Sequence, residues 1–98
     1  ELNDKLAKKE YEAARIYYKL EDFLAAQKYY DSVMEVYHDT QYAPLALYDK
    51  INLLIERKRD QEALAEAEKF LSKYPQHKNY SDVEKIKSSL ENKLTVKP

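Results

Sequence analysis

The hydrophobic pattern changes register at one stretch, Tyr17-Tyr18-Lys19-Leu20-Glu21-Asp22-Phe23-Leu24-Ala25-Ala26. Asp22 is a candidate helix N-cap, because a carboxylate there can accept a hydrogen bond from a free N–H of the first turn. Apolar residues recur at steps of three and four on both sides of this break. They are Leu6, Ala7, Ala13, Ala14, Tyr17, Tyr18 and Leu20 before it, and Phe23, Ala26, Tyr30, Val33 and Tyr37 after it. The stretch therefore predicts a helical hairpin over about residues 2–37. Its first helix is predicted to bury two adjacent lines, Leu6, Ala13, Tyr17 and Leu20 on one and Ala7, Ala14 and Tyr18 on the other.

A second hairpin and a last helix follow. Pro44 falls in a first helical turn, where a missing N–H costs little, and Pro75 ends the fourth helix. Ser81 with Glu84 has the spacing of a capping box. The apolar stripes are Leu47, Ile51 and Leu54, then Ala63, Ala67, Phe70 and Tyr74, and finally Val83, Ile86, Leu90 and Leu94. We predict the second hairpin over about 43–74 and a capping helix over about 81–94.

The two hairpins are near-duplicates. A shift of 37 residues, from Tyr37 to Tyr74, places Ala26 on Ala63 and Val33 on Phe70. The start of a third repeat is predicted one residue later than this shift would place it, with Tyr80 corresponding to Tyr42. The order of these residues resembles tetratricopeptide repeats. The predicted fold class is all-α: a single domain over 1–98 with the architecture of a tetratricopeptide-like right-handed α-solenoid.

Composition and spacing exclude most kinds of chemistry. The chain has no Gly for a phosphate-binding loop and no Cys for a thiolate site, and 17 basic residues against 18 acidic ones give no field that attracts nucleic acid. His38 and His77 lack ligands at metal-binding spacing, so we interpret both as solvated turn residues. The serines lack a catalytic context. We predict a protein that is not an enzyme and has no catalytic residue, cofactor, metal site or small-molecule substrate.

Two stretches narrow the resemblance. Residues 17–26, together with the connector Tyr37-His38-Asp39-Thr40-Gln41-Tyr42-Ala43, are similar to the outer-membrane protein assembly factor BamD family. The resemblance covers nearly the whole chain and is closest to the carboxyl-terminal half of the Bacteroidetes-type members. The chain departs from the family at His38, which stands where the connector has proline. It also departs at Glu21 and Arg59, which stand at turn positions where glycine is common.

The resemblance implies a function, a partner and a location. Carboxyl-terminal repeats of this family hold the periplasmic POTRA domains of the barrel subunit BamA, at the periplasmic face of the bacterial outer membrane. The first helix of each hairpin lines the concave side in such repeats. By resemblance, the partner-binding residues are Tyr11, Arg15, Tyr18, Tyr48, Asn52 and Ile55. Because the chain begins at Glu1 and carries no lipid-bearing cysteine, we expect the membrane anchor and earlier repeats to lie upstream.

Other functions remain open from the residues alone. They are an adaptor of another periplasmic or cytoplasmic complex, a helical repeat that reads RNA, and a module cut from an enzyme.

For stability, we expect apolar surface to be uncovered on the outer side of the first helix. Tyr17→Ala is expected to cost about 3 kcal/mol as a core truncation, and Tyr11→Ala to cost little.

Overall fold

The computed structural model describes residues 2–95; Glu1 and residues 96–98 lie outside the described part. Five helices make up its regular structure, and no strand occurs among residues 2–95. They are α1 (Leu2–Lys19), α2 (Phe23–Val36), α3 (Tyr42–Glu56), α4 (Asp60–Lys73) and α5 (Tyr80–Thr95). The all-α prediction is confirmed, and consecutive helices pack as in a helical hairpin.

The chain divides into two compact units, Glu1–Lys50 and Ile51–Pro98, and the boundary falls within α3. None of the helices in the described range is long and apolar enough to span a membrane. The prediction of a single domain stays a prediction.

In the first unit, α1 packs against α2. Ala7 and Ala14 are the fully buried residues of α1, and Ala26, Tyr30 and Val33 are buried on α2. The prediction that the line of Leu6, Ala13, Tyr17 and Leu20 is buried was wrong at Leu6 and Leu20, which are 38% and 69% exposed. At 100° per residue, these two lie well away from the Ala7 and Ala14 line, so they cannot share its buried face. The predicted uncovered surface on the outer side of this helix is confirmed.

The turn between α1 and α2 recurs, bond for bond, between α3 and α4. The N–H of Glu21 donates to Tyr18 and that of Asp22 donates to Tyr17, the pattern of a Schellman motif. The equivalent donors after α3 are Lys58 and Arg59, which donate to Ile55 and Leu54. Glu21 and Lys58 both have a positive φ, 62° and 63°. The glycine-like position of the second turn is therefore Lys58, and the prediction of Arg59 was wrong by one residue.

The connectors repeat in the same register. Backbone N–H groups of Tyr37, Thr40 and Ala43 donate to carbonyls three or four residues earlier. The same bonds are made 37 residues later by Tyr74, His77 and Tyr80. Tyr80 takes the place of Ala43 in these bonds. The helices themselves begin at Tyr42 and Tyr80, which confirms a third helix start one residue late. The two connectors therefore share one backbone conformation, although their side chains differ.

In the second unit, α4 packs against α5. Leu54 of α3, Ala63 of α4 and Leu90 of α5 form a buried cluster, on which Ile55, Leu64 and Ile86 pack. The apolar stripes predicted for α4 and α5 therefore face the core. The predicted capping box was wrong, because α5 begins at Tyr80 and Ser81 already lies inside the helix. The N–H of Val83 donates to the carbonyl of Asn79, so Asn79 precedes the first turn.

Candidate functional site

A carboxylate on α3 brings together the three helices of the first unit. Asp49 accepts a hydrogen bond from the Tyr11 hydroxyl of α1, with 2.7 Å between the oxygens. It also accepts a longer one, 3.4 Å, from the Tyr30 hydroxyl of α2. The apolar stripes hold the backbones close enough for these side chains to meet, and the hydroxyl groups satisfy an acid that would otherwise be half-buried without partners. We call Tyr11, Tyr30 and Asp49 the tyrosine–aspartate cluster.

Aromatic rings surround this cluster. The Tyr11 ring lies 6.2 Å from that of Tyr30 and 5.8 Å from that of Tyr42, in tilted arrangements. The Arg15 guanidinium lies 5.8 Å from the centre of the Tyr11 ring, within the range of a cation–π contact. One face of Tyr11 therefore packs inward while a cation covers its outer side.

Burial controls the protonation of the cluster. Desolvation raises the pKa of Tyr11 and of Tyr30, and the charge of Asp49 raises both further. Desolvation also raises the pKa of Asp49, while the hydrogen bond from Tyr11 and the charge of Arg15 oppose that rise. Phenols with raised pKa values stay protonated at neutral pH, so Tyr11 and Tyr30 serve as hydrogen-bond donors. The arrangement fixes the helices together.

Two further polar pairs tie helices of this unit. Lys50, which is buried on α3, donates to Asp31 of α2 with 2.7 Å between nitrogen and oxygen. The Ser32 hydroxyl of α2 donates to the Glu10 carboxylate of α1 at 2.8 Å. Sequence reasoning missed these pairs, although a signal was present: Asp49 and Lys50 interrupt an otherwise apolar third helix. Charged residues inside an apolar run are retained where they find partners.

The three residues predicted on α1 have different environments. Tyr11 is half-buried in the cluster, whereas the Arg15 side chain is exposed. Tyr18 is half-buried, and its ring forms a T-shaped pair with that of Phe23, with 5.7 Å between the ring centres. Tyr17, which the sequence predicts to be a core residue, is also half-buried. Its ring stacks on that of Tyr29, with 5.4 Å between the ring centres. These contacts change the expectation for Tyr11→Ala: we expect a larger cost, because this truncation would remove ring contacts and leave Asp49 without its shorter hydrogen bond.

The residues predicted on α3 fall in both units. Tyr48 is half-buried in the first unit. In the second unit, Asn52 is exposed and Ile55 packs on the cluster of Leu54, Ala63 and Leu90. Ile55 is thus partly buried in the core of this unit. The role of all six predicted residues in partner binding stays a prediction.

The two histidines differ from each other. His38 is exposed, in agreement with the predicted solvated turn. His77 is half-buried, and its ring meets Phe70 edge-on at 5.5 Å. Its Nδ1 accepts a hydrogen bond from the Asn79 N–H at 3.0 Å. Desolvation, and then the charge of Lys78, lowers the pKa of His77. The prediction of a solvated turn was wrong for His77, because a helix end packs against the connector that carries it.

An ion pair closes the second unit near the start of α4. Lys93 of α5 lies 3.0 Å from the Asp60 carboxylate, which is largely buried. Asp60 and Glu62 both lie in the first turn of α4, where the helix dipole stabilises negative charge. The pair fastens the last turn of α5 to the beginning of α4.

Within residues 2–95, no group of three or more acidic or histidine side chains has an arrangement that could hold a metal ion. A scan of the sequence against protein-family models finds no match, and a search of curated proteins finds none either.

Proposed function

We propose that this chain is a non-catalytic protein-binding helical repeat. The observation that supports the proposal is the repeated backbone: the same turn bonds and connector bonds recur 37 residues apart in a chain of consecutive helices. Helical repeats expose long faces whose side chains can vary while the packed faces stay constant. Such faces bind other macromolecules by shape, and no chemical step is involved.

The finer form of the proposal is a BamD-like subunit that docks on the POTRA domains of BamA. Its support is the resemblance carried by residues 17–26 and 37–43. In this proposal the chain lies at the periplasmic face of the bacterial outer membrane, and a lipid anchor outside the present sequence attaches it there. An adaptor of another complex is the alternative with the same mechanism.

Binding would be driven by apolar and aromatic area at the contact, with polar groups fixing its orientation. Arg15 and Asn52 are exposed, and Tyr18 and Tyr48 are half-buried. Arginine and tyrosine are frequent anchors of protein interfaces. The near balance of 17 basic and 18 acidic residues disfavours RNA as the ligand.

The test is a titration of the purified chain with purified POTRA domains, followed by fluorescence anisotropy. Arg15→Glu should weaken binding about tenfold, since it reverses the charge of an exposed anchor. Lys85→Glu is the matched control, because it reverses an exposed charge on α5. Thermal unfolding checks that both variants are folded. Absence of binding at about 100 μM, an affinity too weak for a stable complex, or equal loss in both variants, contradicts the BamD-like assignment.

A further inference from the structure

An exposed line of apolar residues runs along α1 on a face that α2 does not cover. Leu2, Leu6, Ile16 and Leu20 are 69%, 38%, 57% and 69% exposed. With Lys9 and Ala13 they follow one another at alternating steps of four and three. This is the spacing of the a and d positions of a coiled-coil heptad. We call the line Leu2, Leu6, Lys9, Ala13, Ile16 and Leu20 the outer seam.

Exposed charged residues flank one side of the outer seam. The exposed row Lys5, Lys8, Glu12, Arg15 and Lys19 carries four cations and one acid. A shallow groove lies between this basic row and the seam, lined by Lys5, Lys8, Lys9, Glu12, Ala13 and Ile16. On the opposite flank, Glu10 is bonded to Ser32 and Tyr17 is stacked on Tyr29. That flank is therefore already in contact with α2, and a second helix can approach only from the basic side.

We propose that the outer seam binds an amphipathic helix of another polypeptide, one with apolar residues at heptad spacing and acidic residues along its flank. Charge complementarity selects this occupant: acids on the incoming helix would face the basic row. One acid in its apolar line would pair with Lys9, and a charged residue in a coiled-coil seam fixes the register of the two helices.

The charges argue against a second copy of this chain. In an antiparallel pair of α1 helices, Glu12 of each copy would lie beside Glu12 of the other, and Lys5 would lie near Lys19. In a parallel pair, Lys9 of each copy would face Lys9 of the other inside the seam. Both arrangements place like charges together, which destabilises the pair.

The width of the seam argues against a lipid surface. A single line of a and d residues is the narrow stripe typical of helix pairing. Helices that lie in a membrane interface bury a broad apolar face that includes large aromatic residues. Here the aromatic residues Tyr11, Tyr17 and Tyr18 of α1 point away from the seam and contact other side chains.

The test uses two designed helical peptides of three heptads each. Both carry Leu at a and d; one has Glu at e and g and at a single seam position, and the other has Lys at those places. Isothermal titration with the 98-residue chain should give the acidic peptide a Kd on the order of 10 μM and the basic peptide at least tenfold weaker binding. Lys9→Glu should reduce this preference without reversing it, because the basic row still favours the acidic peptide.

Ile16→Asp should abolish binding of the acidic peptide. Val36→Asp, on α2, is the matched control and should leave it unchanged, because Val36 is 63% exposed and Ile16 57%. Circular dichroism confirms that all variants are folded. Absence of binding, or equal binding of the two peptides, overturns the proposal.

Two further measurements test whether the outer seam binds a second copy of the chain or a lipid surface instead. A positive result in either measurement overturns the proposal. Sedimentation velocity would detect a dimer of the chain that Ile16→Asp dissociates. Flotation with phosphatidylglycerol vesicles would detect a lipid-bound form that the same variant releases.

Discussion

Asp49 shows at the scale of single residues how a half-buried charge acquires partners. Tyr11 and Tyr30 reach it from two other helices, and Arg15 covers the Tyr11 ring. Helical periodicity could not identify an acid 38 residues further along the chain as the partner of Tyr11. The resemblance therefore placed Tyr11 on a binding face, whereas the structure gives it a role in fastening helices.

Removing the Tyr11 hydroxyl should expose the importance of this bond. Tyr11→Phe keeps the ring contacts with Tyr30 and Tyr42 and removes the 2.7 Å hydrogen bond to Asp49. We expect the free energy of unfolding to fall by about 1–2 kcal/mol, because the half-buried carboxylate loses its best donor. Urea denaturation at pH 7 measures the change.

Tyr17→Phe is the control, since Tyr17 is also half-buried on α1 and contacts Tyr29 through its ring. It should change stability by less than about 0.5 kcal/mol. A loss for Tyr17→Phe as large as that for Tyr11→Phe would show that the bond to Asp49 has no special weight.

Alkaline pH should destabilise the cluster. The pKa values of Tyr11 and Tyr30 are raised in the folded state, so the folded chain binds more protons than the unfolded one above about pH 10. Their contribution to stability is complete below the unfolded pKa and is lost as pH rises through the folded values. Denaturation midpoints between about pH 9 and 11 should fall less steeply for Tyr11→Phe than for the wild type. Equal slopes would contradict the assignment.

At the scale of elements, the two tight turns adopt a conformation that suits glycine in a chain that has none. Glu21 and Lys58 occupy equivalent left-handed positions at the ends of α1 and α3. A side chain with a Cβ is strained there by about 1–2 kcal/mol. The sequence could predict that a turn lies at residues 19–22 from Asp22 and the change in register, but nothing local distinguishes Lys58 from Arg59 as the strained residue.

Glycine at either position should stabilise the fold. We expect Glu21→Gly and Lys58→Gly each to raise the free energy of unfolding by about 0.5–1 kcal/mol, as relief of strain outweighs the added entropy of the unfolded chain. Glu12→Gly is the control in an exposed helix interior and should lower it by about 1 kcal/mol. Thermal and urea unfolding measure all three. Destabilisation by Glu21→Gly would mean that this turn is not left-handed in solution.

The helices themselves were largely predictable, for a physical reason. Their apolar stripes at steps of three and four are long, and Asp22, Pro44 and Pro75 mark their ends. The start of α5 was less certain, because Ser81 suits an N-cap although the helix begins one residue earlier. Leu6 and Leu20 were misplaced because an exposed apolar seam has the same spacing as a buried one. Sequence periodicity identifies an apolar stripe on a helix, but it does not show whether another part of the chain buries that stripe.

At the scale of the whole molecule, the repeated backbone could be anticipated from the 37-residue shift, whereas the ties between helices could not. Side-chain pairs such as Lys50 with Asp31 and Lys93 with Asp60 depend on which helix faces pack together. The sequence of a single helix does not contain that information. The proposed partner rests on different grounds, namely the resemblance of the turn and connector sequences. Architecture and partner therefore need separate tests.

The most direct test of the proposed function is an NMR titration of the isotope-labelled chain with POTRA domains, which maps the contact that the affinity measurement detects. We predict that amide resonances at Arg15, Tyr18, Tyr48 and Asn52 shift or broaden while those of exposed α5 residues such as Lys85 and Ser89 do not. Spectra that stay unchanged at saturating POTRA concentration, or that change on α5 alone, would contradict the account.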